Sequence, residues 1–306
     1  MKHRFFFIFL FSLFYLACRQ AGFLFSIFPV FSQGLSLQIS PVLYEVFLKP
    51  GEVRVISDFE FFNPFENTQE VKVALKDIVI SDETGGLQMI PDSHSRYSLS
   101  KWLDVEPREF TLGPREHKTV DLTIRVPDNA EPGGHYGALF GQVEPPTFEE
   151  GPTGVAVKAG VASPILLTVA GPVSYAGEII EFKKVPFVNL GPVNFLIRFK
   201  NMGTVHYKPH GIVEIFDWFG NKTDVVTVPE RRAFPETIRQ LTATWNRRLL
   251  FGKYKAVATI YFGAEDERQD KAEIFFWAFP YKPLLVLMGV GLLLWAVGKI
   301  KKRLRY

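Results

Sequence analysis

The chain has 306 residues, 47% of them hydrophobic and 15% aromatic, which is apolar material enough for two ordinary domains with segments to spare at the ends. Lys and Arg number 35 against 32 acidic residues, a formal net charge of +3, but residues 1–34 and 299–306 hold eight of the cations and no acid, so the basic balance is a matter of topology and excludes a nucleic-acid surface as its explanation. A single cysteine, Cys18, excludes a disulfide framework.

In chain order, residues 5–18 (FFFIFLFSLFYLAC) and 21–31 (AGFLFSIFPVF) are apolar and follow Lys2, His3 and Arg4. They read as an export signal over residues 1–34, with Ser32 and Gly34 placed for cleavage before Leu35. Arg19 interrupts the apolar run, which leaves a retained amino-terminal anchor as the competing reading. YLAC weakly resembles a lipobox, with Tyr15 where an aliphatic residue belongs, so lipidation at Cys18 is a third.

Beyond residue 35 the period is 2. Val53, Val55, Ser57, Phe59 and Phe61 alternate with Arg54, Ile56, Asp58 and Glu60; Val71, Val73 and Leu75 alternate with Lys72, Ala74 and Lys76; Val120, Leu122, Ile124 and Val126 alternate with Asp121, Thr123 and Arg125. These are antiparallel strands with one wet face, punctuated by Pro, Gly and Asn at the spacing of β-sandwiches. The pattern breaks near Gly171-Pro172 and restarts at Val193, Phe195, Ile197 and Phe199, with further strands at 211–217, 224–228, 239–245, 254–262 and 272–279. The expected fold is all-β, two tandem immunoglobulin-like β-sandwich domains plus a C-terminal transmembrane helix, with domains at 35–171 and 172–280. Residues 35–171 carry 11 cations against 20 acids, a net of −9, and residues 172–298 carry 16 against 12, a net of +4.

Residues 283–298 (PLLVLMGVGLLLWAVG) hold no charge and precede KIKKRLRY. A span over 281–298 with a cytoplasmic tail at 299–306 follows, and the positive-inside rule puts both sandwiches outside the cell membrane. Trp277, Phe279 and Tyr281 would sit at the outer interface, with Lys282 snorkelling. So short a tether sets the second domain on the bilayer, where its +4 charge either meets anionic headgroups or is plain surface composition.

Two segments echo each other. SPVLYEVFLKPGEV (40–53) and EPREFTLGPREHKTV (106–120) share a Pro, an apolar stretch, Leu, a turn with Pro, Glu and then a strand, the form expected where a proline-bearing edge strand hands the chain to a central one. The stretch EPGGHYGALF (131–140) invites a phosphate-loop or catalytic-histidine reading. No helix follows it and no Lys-Ser/Thr follows its glycines, so it reads as a turn leading into a strand, with His135 and Tyr136 facing opposite ways and His135 structural.

SPVLYEVFLKPGE and WLDVEPREFTLGPREHKTVDLTIRVPDNAEPGGHYGALF resemble the first domain of the WxL-interacting surface proteins of bacteria, and FKNMGTVHYKPHGIVEIFDWFGN (199–221) resembles the second-domain opening of related surface proteins. The likeness covers most of 36–245 as pattern and is strongest over 102–140. It departs at Arg115, where the second echo turn usually has Gly, and in the acidic loop 145–154 (PPTFEEGPTG). The resemblance implies a signal peptide, two immunoglobulin-like domains, one span and a short basic tail, the first domain associated with peptidoglycan and the second with partner proteins.

Other candidate sites resolve locally. SDETGG (81–86) is explained by a hairpin turn, with a cation loop as its competitor. His206 and His210 fall in a loop and lack a third ligand nearby for a metal. Asn221-Lys222-Thr223 matches a glycosylation acceptor. Arg231-Arg232 and Arg247-Arg248 read as solvated loop charges, and also as the best residues for an anionic contact. No nucleophile, base and orienting group can be assembled, so the sequence points to a non-enzymatic protein without catalytic, cofactor or metal residues, its binding residues unassigned. Its partners would be the membrane and either peptidoglycan, another envelope polymer or a surface protein, with no nucleic acid. The alternative is a membrane-tethered assembly factor acting by strand addition as pilus chaperones do, with the hydrophobic strands 138–143 and 161–169 as the candidate exposed edges.

Overall fold

The computed structural model describes residues 37–91, 95–143, 160–184 and 189–303. The export-signal reading of 1–34, the fate of Cys18 and the acidic loop 145–154 lie outside the described residues.

The first sandwich is built from β1 (Gln38–Ser40), β2 (Tyr44–Leu48), β3 (Val53–Phe62), β4 (Gln69–Ile80), β5 (Leu87–Ile90), β6 (Leu103–Glu106), β7 (Glu109–Leu112), β8 (His117–Arg125), β9 (Gly133–Val143) and β10 (Gly160–Val169). One sheet runs β1-β3-β8-β6; the other runs β2-β10-β9-β4-β5, with β7 also pairing β4. The second sandwich comprises β11 (Gly177–Lys184), β12 (Val193–Asn201), β13 (His210–Phe216), β14 (Lys222–Val228), β15 (Ile238–Trp245), β16 (Gly252–Phe262) and β17 (Arg268–Ala278), in sheets β11-β12-β15 and β14-β13-β16-β17. The all-β immunoglobulin-like architecture expected from the period-2 pattern is therefore observed.

The two echo segments perform one manoeuvre. After β1 the chain leaves the first sheet at Pro41 and joins the second as β2; after β6 it leaves the first sheet at Pro107 and joins the second as β7. Each then turns back through a residue at positive φ, Gly51 at +76° and Arg115 at +55°, into β3 and β8, which pair with each other. Arg115 thus holds the backbone of a glycine turn without being one.

Facing in β3 departs from the simple alternation. Ile56 pairs with Leu122 and Phe59 with Val120, so β3 spends one residue more than β8 over this interval. That bulge turns the strand over: Ile56, Phe59 and Phe61 are buried while Val53 and Val55 are exposed, so Val53 and Val55 do not share the core face of Phe59 as the alternation predicted. In β8, which has no extra residue, Val120, Leu122 and Ile124 are all buried as expected.

Each core is closed by a buried asparagine at an equivalent place. Asn63 follows β3 and Asn201 ends β12; both are fully buried. The Asn63 amide donates to the carbonyls of Asn67 (2.7 Å) and Gly113 (2.9 Å) and its oxygen accepts from the Phe65 N–H (3.1 Å). The Asn201 amide donates to Val205 and Ala233 (both 3.0 Å) and its oxygen accepts from Gly203 N–H (2.8 Å). In both sandwiches the partners lie four and two residues onward, so Phe-x-Asn (61–63 and 199–201) is a repeated loop clamp. The second core is aromatic: Phe195 and Phe276 (6.0 Å) and Phe199 and Phe262 (5.2 Å) meet between the sheets, Tyr254 and Phe276 (5.5 Å) stack as cross-strand neighbours within one, and Trp245 Nε1 donates to Asp224 at 2.8 Å.

Three residues past β17 begins α1 (Tyr281–Arg303). Its apolar stretch covers Tyr281–Ile300, which at 1.5 Å per residue is about 30 Å, the thickness of a hydrocarbon core. None of that stretch is buried against the sandwiches, unlike the core helix of a soluble domain.

Candidate functional site

The 131–140 stretch builds a joint between the sandwiches. Gly133 takes φ +124°, and a Cβ there would stand 2.6 Å from the carbonyl oxygen of Thr204; Gly134 N–H donates to that same oxygen at 2.9 Å. Gly133 is required by close approach of another backbone and Gly134 by the Tyr136 side chain, which a Cβ there would strike; neither need comes from phosphate. His135 is buried with Nε2 3.0 Å from the Glu131 carbonyl and Nδ1 3.3 Å from that of Ser98, its ring packed on Trp102, and burial holds its pKa below the ordinary value. Both nitrogens face backbone carbonyls and the neutral ring donates to one of them, which places His135 in the packing and not in a reacting constellation.

Tyr136 points the other way, into the seam. Its hydroxyl accepts the His206 N–H (3.1 Å) and lies 3.2 Å from His206 Nδ1, to which it donates while the imidazole is neutral; its ring meets Phe234 edge-on at 4.8 Å. Phe234 is carried by the loop after β14, so the second sandwich plugs an apolar patch of Ile78, Tyr136, Ala138 and Leu166 on the outer face of the first. His206 and His210 do not converge: His206 lies in this seam, and His210, on β13, pairs with Asp266 at 3.5 Å.

The SDETGG turn closes the seam's flank. Asp82 accepts from Thr84 Oγ1 (2.5 Å), Thr84 N–H (2.7 Å) and Gly86 N–H (3.3 Å); led by the Thr84 hydroxyl, these bonds lower its pKa to about 2. The carboxylate thus stitches its own hairpin. Neighbouring Glu83 takes Arg198 of β12 in a bidentate pair (2.8 and 2.5 Å), and its carbonyl accepts the Gln240 N–H of β15 at 2.7 Å. On another side Tyr97 Oη donates to Glu236 at 3.0 Å, and Arg232 pairs with Glu45 of β2. Arg232 is therefore a seam residue, in correction of its reading as a solvated loop charge. A cleft beside it gathers Lys208, Arg231 and Arg239 next to Leu43 and Glu230.

His206 makes this seam sensitive to acid. Burial, aided by the Arg232 and Lys208 charges, lowers its pKa from the ordinary 6.5 to about 4. A base with a depressed pKa takes up its proton more readily unfolded, so stability is full above pH 6.5, falls as the pH drops toward 4 and is level below that. Thermal midpoints of the full chain should decline across this window, and His206→Gln should remove about 3 kcal/mol of that decline. Equal slopes for the two proteins would refute the assignment.

The two strands proposed as edges divide. Residues 138–143 lie inside β9, which pairs with β10 on one side and β4 on the other, so this strand offers no edge. Hydrophobic alternation marks a central strand as readily as an edge, which is why sequence could not tell them apart. In β10, residues 165–169 are covered by parallel pairing with β2, whereas 160–164 pair with β9 alone among the described residues. Sequence reasoning reads the 40–53 segment as a proline-bearing edge strand but does not name β2 among the candidate edges for strand addition. That strand ends its sheet with its far edge unpaired among the described residues, Tyr44 packs inward on Phe59 at 5.4 Å, and Phe47 stands 63% exposed. The Pro of its echo segment was the legible sign of an edge.

No protein-family model matches the chain, and no curated protein matches it. Solved structures with a similar course include the class 5 fimbriae chaperone CfaA (15% identity, TM-score 0.40, covering 78% of this chain and 98% of that one), the chaperone CsuC with the tip adhesion subunit CsuE from archaic Csu pili of Acinetobacter baumannii (11%, 0.35, 78% and 98%) and the E. coli chaperone DraB (13%, 0.34, 79% and 97%). Likeness at this level does not extend to mechanism.

Proposed function

We propose that this protein is a membrane-tethered, non-enzymatic binding protein that takes an extended segment of a protein partner along the edge of β2 that meets no strand among the described residues. The observation that carries it is that edge: β2 terminates its sheet, and its outward side meets no strand among the described residues. Backbone pairing with an added strand would supply affinity, and Phe47 and Val42, both exposed, would supply contacts along it. The cations Lys208, Arg231 and Arg239 in the neighbouring cleft favour a partner segment with acidic residues toward the Leu43 end of β2. α1 crosses the membrane with its basic tail inside, and the wider resemblance to WxL-interacting surface proteins fits such a display arrangement.

Panning a random peptide display library against the full chain in lipid nanodiscs tests the proposal beside co-sedimentation with purified peptidoglycan sacculi. Extended peptides with alternating apolar residues should be enriched, and Phe47→Lys should weaken them by about tenfold, or 1.4 kcal/mol. Sacculus binding that survives high salt, with no peptide enriched, would replace this reading with wall recognition.

A further inference from the structure

We infer that the helix-side end of the second sandwich is itself a membrane-docking surface, whose loop tips Trp218-Phe219 and Leu249-Phe251 enter the interfacial layer of the bilayer that α1 crosses. The inference rests on the reading of α1 as a span.

Strand register brings these loops together. β13 ends at Phe216 opposite Lys255, β16 begins at Gly252 opposite Ala278 near the end of β17, and β15 ends at Trp245 opposite Val193. The loops 217–221 and 246–251 and the residues 189–192 before β12 therefore all emerge at the end of the sandwich from which α1 leaves. Contacts agree: Lys282 N–H donates to Asn189 Oδ1 at 3.1 Å, the Phe251 and Phe279 rings are 5.5 Å apart, and Leu190, Leu249 and Pro283 line one shallow cleft.

What these loops display is costly in water. Trp218 is 65% exposed, Phe219 76%, Leu249 71% and Phe251 70%. Single exposed apolar residues are ordinary; four large ones from two loops around the root of an apolar helix are not. The first tip is also held out rigidly. Asp217 Oδ1 accepts from the N–H groups of Phe219 and Asn221, both at 2.9 Å, Gly220 takes φ +86°, and the Trp218 and Phe219 rings meet edge-on at 5.0 Å. The Asp217 carboxylate is thereby engaged by the turn's own amides.

The helix end is net basic: Arg247, Arg248, Lys253 and Lys282 stand there beside Asp217, whereas the loops at the opposite end mix Glu230, Glu236, Glu265, Asp266 and Glu267 with Lys208, Arg231 and Arg232. Aromatic side chains at headgroup depth with cations beside them are the pattern of an interfacial belt. The occupant of this surface is accordingly the lipid bilayer, entered by the loops from the outer side.

The test uses the full chain with Cys18 replaced by Ser, reconstituted in phosphatidylcholine–phosphatidylglycerol vesicles and carrying one nitroxide at a time through Phe219→Cys, Leu249→Cys, Leu293→Cys or Val53→Cys. All four sites are exposed, so the labels leave the cores intact. Collision rates with oxygen, which concentrates in lipid, and with a water-soluble nickel chelate report depth. Positions 219 and 249 should show a several-fold higher oxygen-to-nickel ratio than 53, in the same direction as 293. A lipid-like 293 with water-like 219 and 249 would overturn the docking surface and leave the span standing. A water-like 293 would remove the span, and this inference with it.

Discussion

Replacing Tyr136 by alanine should destabilise the full chain by about 3–4 kcal/mol and split its unfolding into two calorimetric transitions. Tyr136 is 4% exposed, and its ring is shared among Phe234, His206 and Tyr97, so truncation opens a cavity at the seam and not within either core. Its hydroxyl is also the acceptor for the His206 N–H, which the substitution leaves without that partner. The ion pairs that remain across the seam, Glu83 with Arg198 and Arg232 with Glu45, are exposed enough to be worth about 1 kcal/mol or less each, and the hydrogen bonds from Tyr97 to Glu236, Gln240 to Glu83 and Gly134 to Thr204 add about 1 kcal/mol apiece. They cannot by themselves keep two independently cored sandwiches cooperative. Tyr136→Phe keeps the ring and loses only the polar contacts, at about 1 kcal/mol, and should still unfold in one transition. Scanning calorimetry in nanodiscs distinguishes these outcomes, and a single unshifted transition for the alanine variant would show that the seam does not depend on this ring.

How far this seam could be read in advance depends on the reach of each interaction. Period-2 alternation is local, and it correctly anticipated strands such as β8 and β12, whose Val120, Leu122 and Ile124 and Val193, Phe195, Ile197 and Phe199 are buried. The β3 bulge escaped it because an extra residue is defined only against a partner, here β8, some sixty positions away. SDETGG was legible as a turn from Asp82 and its glycines, but not as a latch, since Glu83 finds Arg198 at a separation of 115 residues. His206 and His210, four apart, read as loop residues without a third metal ligand, and they part company: one turns into the seam and the other to Asp266. Phe-x-Asn at 61–63 and 199–201 was in plain view. Three residues are too few to mark a repeat until both asparagines are seen clamping loops in the same way.

Asn201→Ala should cost about 3 kcal/mol and lower the thermal midpoint by roughly 6–12 °C. Asn201 is fully buried, and losing its side chain orphans the carbonyls of Val205 and Ala233 and the Gly203 N–H together. Asn201→Asp should be no better, because it removes both donors and turns a carboxylate toward two carbonyl oxygens. The consequence reaches the proposed binding region through Ala233, which sits between Arg232 and Phe234 in the loop that meets Glu45 of β2 and plugs the first sandwich. Hydrogen exchange under native conditions should therefore quicken across 229–237 in Asn201→Ala. Asn63→Ala, whose partners are Asn67, Gly113 and Phe65, should lose comparable stability and quicken exchange around 64–67 and 113, with 229–237 unchanged. If both variants loosened the seam loop alike, its order would derive from global stability and not from the Asn201 clamp, and the two asparagines would be core devices with no separate hold on the site.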